Sequence, residues 1–163
     1  MVGVPQGNKK INMNQNVLIS GYGSIGRKHA NILSGLIKKK NITILTNQKL
    51  SNFRTIKNLQ SLNKINPHYI VICNPTSHHI NKIKYIEKNF NNKLVLIEKP
   101  LFSKPDRINV KKNKYFVGYN LRFNPIINFL KTKIRSKKIW SVNIFCGSYL
   151  PSWRNNIHYS KSS

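Results

Sequence analysis

Three short clusters in this sequence carry the residue types and spacing that chemistry needs. The first is Gly21-Tyr22-Gly23-Ser24-Ile25-Gly26, a complete G-x-G-x-x-G. In such a turn the first glycine permits a tight reversal and the second lets a pyrophosphate approach the backbone. The third lets a helix pack closely on a strand. The N–H groups that open that helix then face the phosphates. A glycine-rich turn can also be purely structural. Its setting here, after an apolar run and before a helical pattern, favours nucleotide binding by all six residues.

The second cluster is Asn74-Pro75-Thr76-Ser77-His78-His79, directly after another apolar run. Ligands in open α/β sheets sit beyond the carboxyl ends of strands, so this is a binding position. Thr76 and Ser77 would serve equally well as helix caps, and His79 would either pack or bond a ribose. The third cluster is Glu98-Lys99-Pro100. A lysine held beside a nicotinamide can polarise a substrate hydroxyl or carbonyl. The plain alternative is a surface ion pair between neighbours, worth little.

One informative feature is an absence. A domain that prefers NAD carries Asp or Glu ~20 residues past the glycines, bonded to the ribose hydroxyls. The corresponding stretch here is Thr46-Asn47-Gln48-Lys49, with no acid. Neutral Thr46 and Asn47, with Lys49 close by, accommodate a 2′-phosphate, so either NADP or NAD is expected, with NADP preferred. A merely degenerate position is the competing reading. Cys73 and Cys146 lie in apolar runs with no C-x-x-C or zinc-like spacing. They read as buried free thiols in a reducing cytoplasm, and no metal site is expected.

These clusters need elements to hold them. Continuous apolar runs at 16–20 (NVLIS), 42–46 (ITILT), 69–73 (YIVIC), 94–97 (LVLI) and 115–118 (YFVG) predict strands. Helical spacing predicts helices over 25–38, 78–89 and 125–133, the last with Pro125 in its first turn. Residues 53–65 read as one helix turn or two, and 139–149 as a long, aromatic-rich strand. Strands that are apolar throughout and alternate with helices mark a parallel sheet covered on both faces. The fold class is therefore α/β, a Rossmann-type parallel sheet with helices on both faces, plus the beginning of an incomplete α+β second domain. The expected division is a disordered leader over 1–15, a dinucleotide-binding domain over 16–118, and the start of a substrate and oligomerisation domain over 119–163. Met13 stands just before the first strand, so either Met1 or Met13 is the start.

Charge points elsewhere at first sight. The 163 residues hold 29 Lys plus Arg against three acids, Glu87, Glu98 and Asp106, for a formal net charge of +26. That suggests a nucleic-acid binder. The basic residues are scattered rather than gathered on one arm. Lys, Asn and Ile, whose codons are AT-rich, are all heavily used, which a biased genome explains without any nucleic-acid partner. No apolar stretch approaches the ~20 residues of a membrane span, and residues 1–15 lack a signal-peptide core. A cytoplasmic protein follows.

In order along the chain, the glycine turn, Pro75-Thr76-Ser77-His78-His79, Glu98-Lys99-Pro100 and Gly118-Tyr119-Asn120-Leu121-Arg122-Phe123 together resemble the Gfo/Idh/MocA family of NAD(P)-dependent oxidoreductases. That family acts on sugars, inositols and related polyols. The resemblance implies that the three glycines hold the pyrophosphate, that Asn74, Pro75, Thr76 and His79 line the nicotinamide ribose, and that Glu98 helps form the cofactor site. It implies that Lys99 is the catalytic lysine, with a cis bond to Pro100. Asn120 and Arg122 would face a sugar-like substrate, as would Trp153 and Arg154 in a stretch that also includes Tyr159 and Ser160. Family members run to roughly twice this length, and a segment absent here supplies their acid/base histidine. As this chain alone, turnover is not expected, and a homo-oligomer is expected only with the full second domain. A non-catalytic nucleotide-binding module and a basic nucleic-acid-binding protein are the alternatives.

Overall fold

The computed structural model describes residues 15–145 and 147. Six strands form one sheet: β1 (Val17–Ser20), β2 (Ile42–Leu45), β3 (Arg54–Ile56), β4 (Tyr69–Ile72), β5 (Leu94–Ile97) and β6 (Lys114–Val117). Their order is β3-β2-β1-β4-β5-β6, and every pairing is parallel. The helices are α1 (Ser24–Ser34), α2 (His79–Asn89) and α3 (Pro125–Ile134). The chain leaves β1 for β2 on one side and returns to β4 on the other, so β1 and β4 flank the point where strand order reverses. Crevices at such a reversal bind ligands.

The side-chain period of two sorts each strand between two cores. Leu18, Ile70, Ile72, Val95 and Ile97 point to one face and pack with Leu62 and with Ile83 and Ile86 of α2. Val17, Ile19, Ile42, Ile44 and Val71 point to the other and pack with Ala30 of α1 and Ile37. Burying one such aliphatic side chain fully is worth ~1.5–3 kcal/mol, so both faces of the central strands must be covered. That is why these strands are apolar throughout. The Rossmann-type sheet with helices on both faces is thus as the sequence indicates. Among the described residues, no helix is long and apolar enough to cross a membrane.

Three expectations need correction. Residues 53–65 hold the expected helix turn or two only in their second half, as a 3₁₀ helix over Leu59–Lys64; before it, Arg54–Ile56 pairs with β2 as an edge strand. An edge strand buries little, so its sequence shows no apolar run. Helix α1 stops at Ser34 rather than near residue 38, with Gly35 following as its cap. Residues 139–145 form no strand, and the remainder of that segment, Cys146 and Ser148–Tyr149, lies outside the described residues apart from Gly147. A strand needs a neighbour to bond its N–H and C=O groups, and no described element lies alongside. Ile139, Trp140, Val142, Ile144 and Phe145 are exposed as a result. The N-terminal stretch 1–14 also lies outside the described residues.

Helix α3 begins as Pro125 predicts. The Oδ1 atom of Asn124 accepts from the N–H groups of Ile126 (2.9 Å) and Ile127 (3.3 Å), a side-chain cap for the helix start. Its apolar residues Ile126, Phe129 and Leu130 are exposed.

Glu87, near the end of α2, fastens that helix to the segment entering β6. Its carboxylate accepts from the backbone N–H groups of Lys111 and Lys112 at 2.6 Å each, and from Asn113 Nδ2 and Tyr115 Oη at 2.9 Å each. Burial pushes the carboxyl up, but the four donors outweigh it and hold its pKa at about 2, below the ordinary 4.5. Burial, together with Glu87, pushes the Tyr115 phenol up. A depressed carboxylate contributes stability that is present above its unfolded pKa and lost as pH falls toward the folded one. The wild-type melting temperature should therefore fall as pH drops from about 4.5 toward 2. Glu87→Gln should melt a few degrees lower at neutral pH and be flatter across that acid window. Parallel acid profiles in thermal melts of the two proteins would contradict this role.

Candidate dinucleotide site

The carboxyl ends of β1, β2, β4, β5 and β6 lie along one edge of the sheet, and every cluster singled out in the sequence except the distal Trp153–Arg154 stretch falls on it. Backbone bonds carry the strand ladders into these loops. Gly21 donates to Leu45 (3.0 Å), Thr46 to Ile56 (3.0 Å), Cys73 to Ser20 (2.7 Å), Glu98 to Ile72 (2.9 Å) and Gly118 to Ile97 (2.8 Å). The loops therefore start from fixed positions.

Each glycine of the turn has its own physical reason. Gly21 has φ +98°, where a side chain is strained, and a Cβ would lie 2.9 Å from the backbone of Cys73 and Asn74. At Gly26 a Cβ would overlap the carbonyl oxygen of Gly21, so only a glycine lets α1 come this close. Gly23 differs. A Cβ there would meet nothing within 4 Å, so its smallness serves open space above the turn. Gly23 is also the N-cap of α1 and offers no side-chain cap. The first N–H groups of the helix, on Ser24, Ile25 and Gly26, have no intrahelical acceptors and meet the positive end of the helix dipole. Gly23, Ser24 and Ile25 are exposed. Tyr22 is held by an edge-on contact with Phe53 (6.2 Å) and by the Arg27 guanidinium 5.7 Å above its ring.

At the end of β2, Thr46 is half-buried and its Oγ1 accepts from Gln48 N–H at 3.2 Å. Asn47 and Lys49 are exposed. At the end of β4, Asn74 is half-buried and its Oδ1 accepts from Ser20 Oγ at 2.6 Å, tying this loop to β1. Pro75 is exposed, and Thr76 is buried in a 3₁₀ turn over Thr76–His78. Neither Thr76 nor Ser77 caps α2, whose N-cap is His78 without a side-chain bond.

His79, the first residue of α2, is buried. It is 1% exposed, with Nε2 2.8 Å from the Asn74 carbonyl and Nδ1 3.2 Å from the Leu101 carbonyl. Its ring thus lies between the loop after β4 and the loop after β5, in contact with both.

At the end of β5, Glu98 does not pair with Lys99. Its Oε1 lies 2.7 Å from His29 Nε2, on α1. Lys99 is exposed, and its bond to Pro100 is cis, as the resemblance implies. Burial, with a contribution from the Glu98 charge, pushes the half-buried Cys73 thiol up to about 12, so it stays a protonated, unreactive thiol. Asn120 and Arg122 are exposed on a 3₁₀ turn over Asn120–Phe123, just past β6. Trp153 and Arg154, like Tyr159 and Ser160, lie outside the described residues.

Sequence reasoning missed His29. The signal was there: His29 follows Gly26 by three residues and precedes buried Ala30, so helical spacing puts it on the sheet-facing side of α1. Among the described residues, no cluster of side chains could hold a metal ion.

The sequence matches no known family profile and no curated protein. Solved structures do match the fold. Scyllo-inositol dehydrogenase from Lactobacillus casei, with bound NAD(H) and scyllo-inositol, superposes with a TM-score of 0.54 at 15% identity, over 74% of this chain and 41% of that one. Myo-inositol 2-dehydrogenase from Lactobacillus plantarum gives 0.58 at 19% identity, and the WlbA dehydrogenase from Bordetella pertussis, in complex with NADH and UDP-GlcNAcA, 0.58 at 15%, both with the same coverage. This chain thus shares its fold with part of these dehydrogenases and spans about 41% of their length. The fold agrees with the family resemblance drawn from the motifs.

Two of the three glycines make separable predictions. Gly26→Ala should destabilise the fold by ~1–3 kcal/mol, as overpacking does. Gly23→Ala, at an N-cap where alanine is poorer than glycine, should cost no more than ~1 kcal/mol of stability yet bind NADPH at least about tenfold more weakly, a loss of ~1.4 kcal/mol. Melting curves and a calorimetric titration read both. Wild-type affinity in Gly23→Ala would remove the phosphates from this turn.

Proposed function

We propose that this chain is the nucleotide-binding part of an NAD(P)-dependent oxidoreductase of the Gfo/Idh/MocA type, acting on a sugar-like alcohol or ketone. The observation that carries this reading is the uncapped start of α1 beneath an open Gly23, at the reversal of strand order. Those features suit a pyrophosphate: free N–H donors, a positive dipole end and no side chain in the way.

The rest of the cofactor's place follows from strand order. Adjacent strands lie ~4.8 Å apart. From the turn after β1, one direction reaches the end of β2, where Thr46 and Asn47 meet the adenosine ribose. No carboxylate stands there to repel a 2′-phosphate, and Lys49 is close in sequence. On this basis NADP is preferred over NAD. The other direction reaches β4 and then β5, about 10 Å from β1. There Asn74, Pro75 and Thr76 border the nicotinamide ribose, and Glu98 and Lys99 follow.

When bound, the nicotinamide supplies the hydride chemistry. The residues of this chain do the rest. Lys99 is the catalytic residue, orienting the substrate hydroxyl or carbonyl by a charged hydrogen bond. Asn120 and Arg122, past β6, face the substrate. The division into a nucleotide-binding domain over 16–118 and a substrate domain beginning at 119 belongs to the same proposal. So do a cytoplasmic setting and the absence of a nucleic-acid partner.

A thermal melt with and without NADPH, in moderate salt, tests the reading. A ligand that binds only the native state stabilises it by mass action, by ~2.7 kcal/mol at a hundred times its Kd. The melting temperature should rise with NADPH, and rise less with NADH at equal concentration. A cooperative melt indifferent to both would overturn nucleotide binding. Equal shifts would overturn the NADP preference alone.

A further inference from the structure

The contact between His29 and Glu98 is not one that the fold requires. Strand β4 lies between β1 and β5 in the sheet, so α1, which follows β1, need not touch the end of β5. Yet His29 Nε2 reaches Glu98 Oε1 at 2.7 Å, with both side chains about four-fifths buried, at 22% and 19% exposure. Glu98 is one of three acids in a chain with 29 basic residues, and Lys99 is its neighbour. Its partner is nonetheless a helix residue 69 positions away.

The carboxylate is also boxed in from the far side. A Cβ at Gly118, at the end of β6, would stand 3.3 Å from Glu98 Oε2. The backbone of Glu98 is fixed by its bond to Ile72. The thiol of Cys73, at the end of the intervening β4, feels the same charge. Glu98 therefore bridges α1, β4, β5 and β6, and the next residue is Lys99.

We propose that His29 is a positioning residue: through Glu98 it ties the phosphate-binding helix α1 to the Lys99 loop, so that nucleotide at the glycine turn and the placement of Lys99 are coupled. His29 is five residues past Ser24, about 7.5 Å along a stiff helix. A small movement of α1 on engaging phosphate at its N-terminus reaches Glu98 directly. Two arrangements of one contiguous element are what coupling between sites requires. The inference rests on the nucleotide reading above and deepens it.

The test uses the full chain, ¹⁵N-labelled, titrated with ADP. ADP carries the pyrophosphate but no nicotinamide, so a response at Lys99 comes through the protein. In wild type, the amides of Gly23 and Ser24 should shift, and so should those of Lys99 and Gly118. In His29→Leu the turn should still respond, while the Lys99 and Gly118 shifts fall to less than half. His29→Gln, which keeps a donor toward Glu98, should restore most of them. Melting curves confirm that each variant is folded. If His29→Leu is not, Glu98→Gln serves instead, and its Lys99 response should be similarly reduced. An undiminished response at Lys99 in the folded variant overturns the coupling. So does a wild type that responds at Gly23 and Ser24 but not at Lys99. A wild type silent at the turn itself overturns the nucleotide reading, and this inference with it.

Discussion

Helix α1 lies where it does because Gly26 has no side chain. A Cβ at that position would overlap the carbonyl oxygen of Gly21, and the helix would have to retreat from the end of β1. With it would go the uncapped N–H groups of Ser24, Ile25 and Gly26, and the reach of His29 to Glu98. Gly21 answers the same constraint from the other partner, since its left-handed turn runs against the backbone of Cys73 and Asn74. The strand on which the turn begins is fixed by parallel pairing to β2 and β4. So the geometry of the carboxyl edge reduces to backbone packed on backbone at one point, held from below by a two-sided aliphatic core.

Two of the three acids of this chain fasten distant segments together. Glu87 joins α2 to the segment entering β6 with four hydrogen bonds. Glu98 joins α1 to the end of β5 through His29. Each carboxylate collects donors from distant segments, and charge-assisted bonds of that kind are stronger than neutral ones. The excess of lysine over this frame leaves the two contacts intact because Lys99, Lys111 and Lys112 keep their side chains outside them. Lys111 and Lys112 instead meet Glu87 through the backbone.

The sequence made the centre of this fold readable and its margins not. Five apolar runs became β1, β2, β4, β5 and β6, the first four because a parallel strand covered on both faces can tolerate little else. The glycine turn was legible for the same reason: its requirements are steric. Strand β3 was not, since Arg54-Thr55-Ile56 at the sheet edge buries only part of one side chain. The aromatic run over 139–149 looked like a strand, but its described part, 139–145, pairs with nothing, and pairing is a property of the neighbour as well as of the run. His79 was placed at the ligand because of its motif. Its burial and its contacts with the carbonyls of Asn74 and Leu101 are tertiary, and the motif does not encode them. Helical spacing gives the face of α1 on which His29 lies, but not its partner, which is 69 residues away.

The proposed dinucleotide site is one edge of the sheet, built around the glycine turn. Backbone hydrogen–deuterium exchange with and without saturating NADPH, resolved by peptide, tests it most directly. Slower exchange should appear over residues 20–27 and 73–79, with smaller protection near Glu98 and none over 111–114 at the opposite edge of the sheet. Unchanged exchange across 20–27, or protection confined to the lysines at 111–114, would contradict the account.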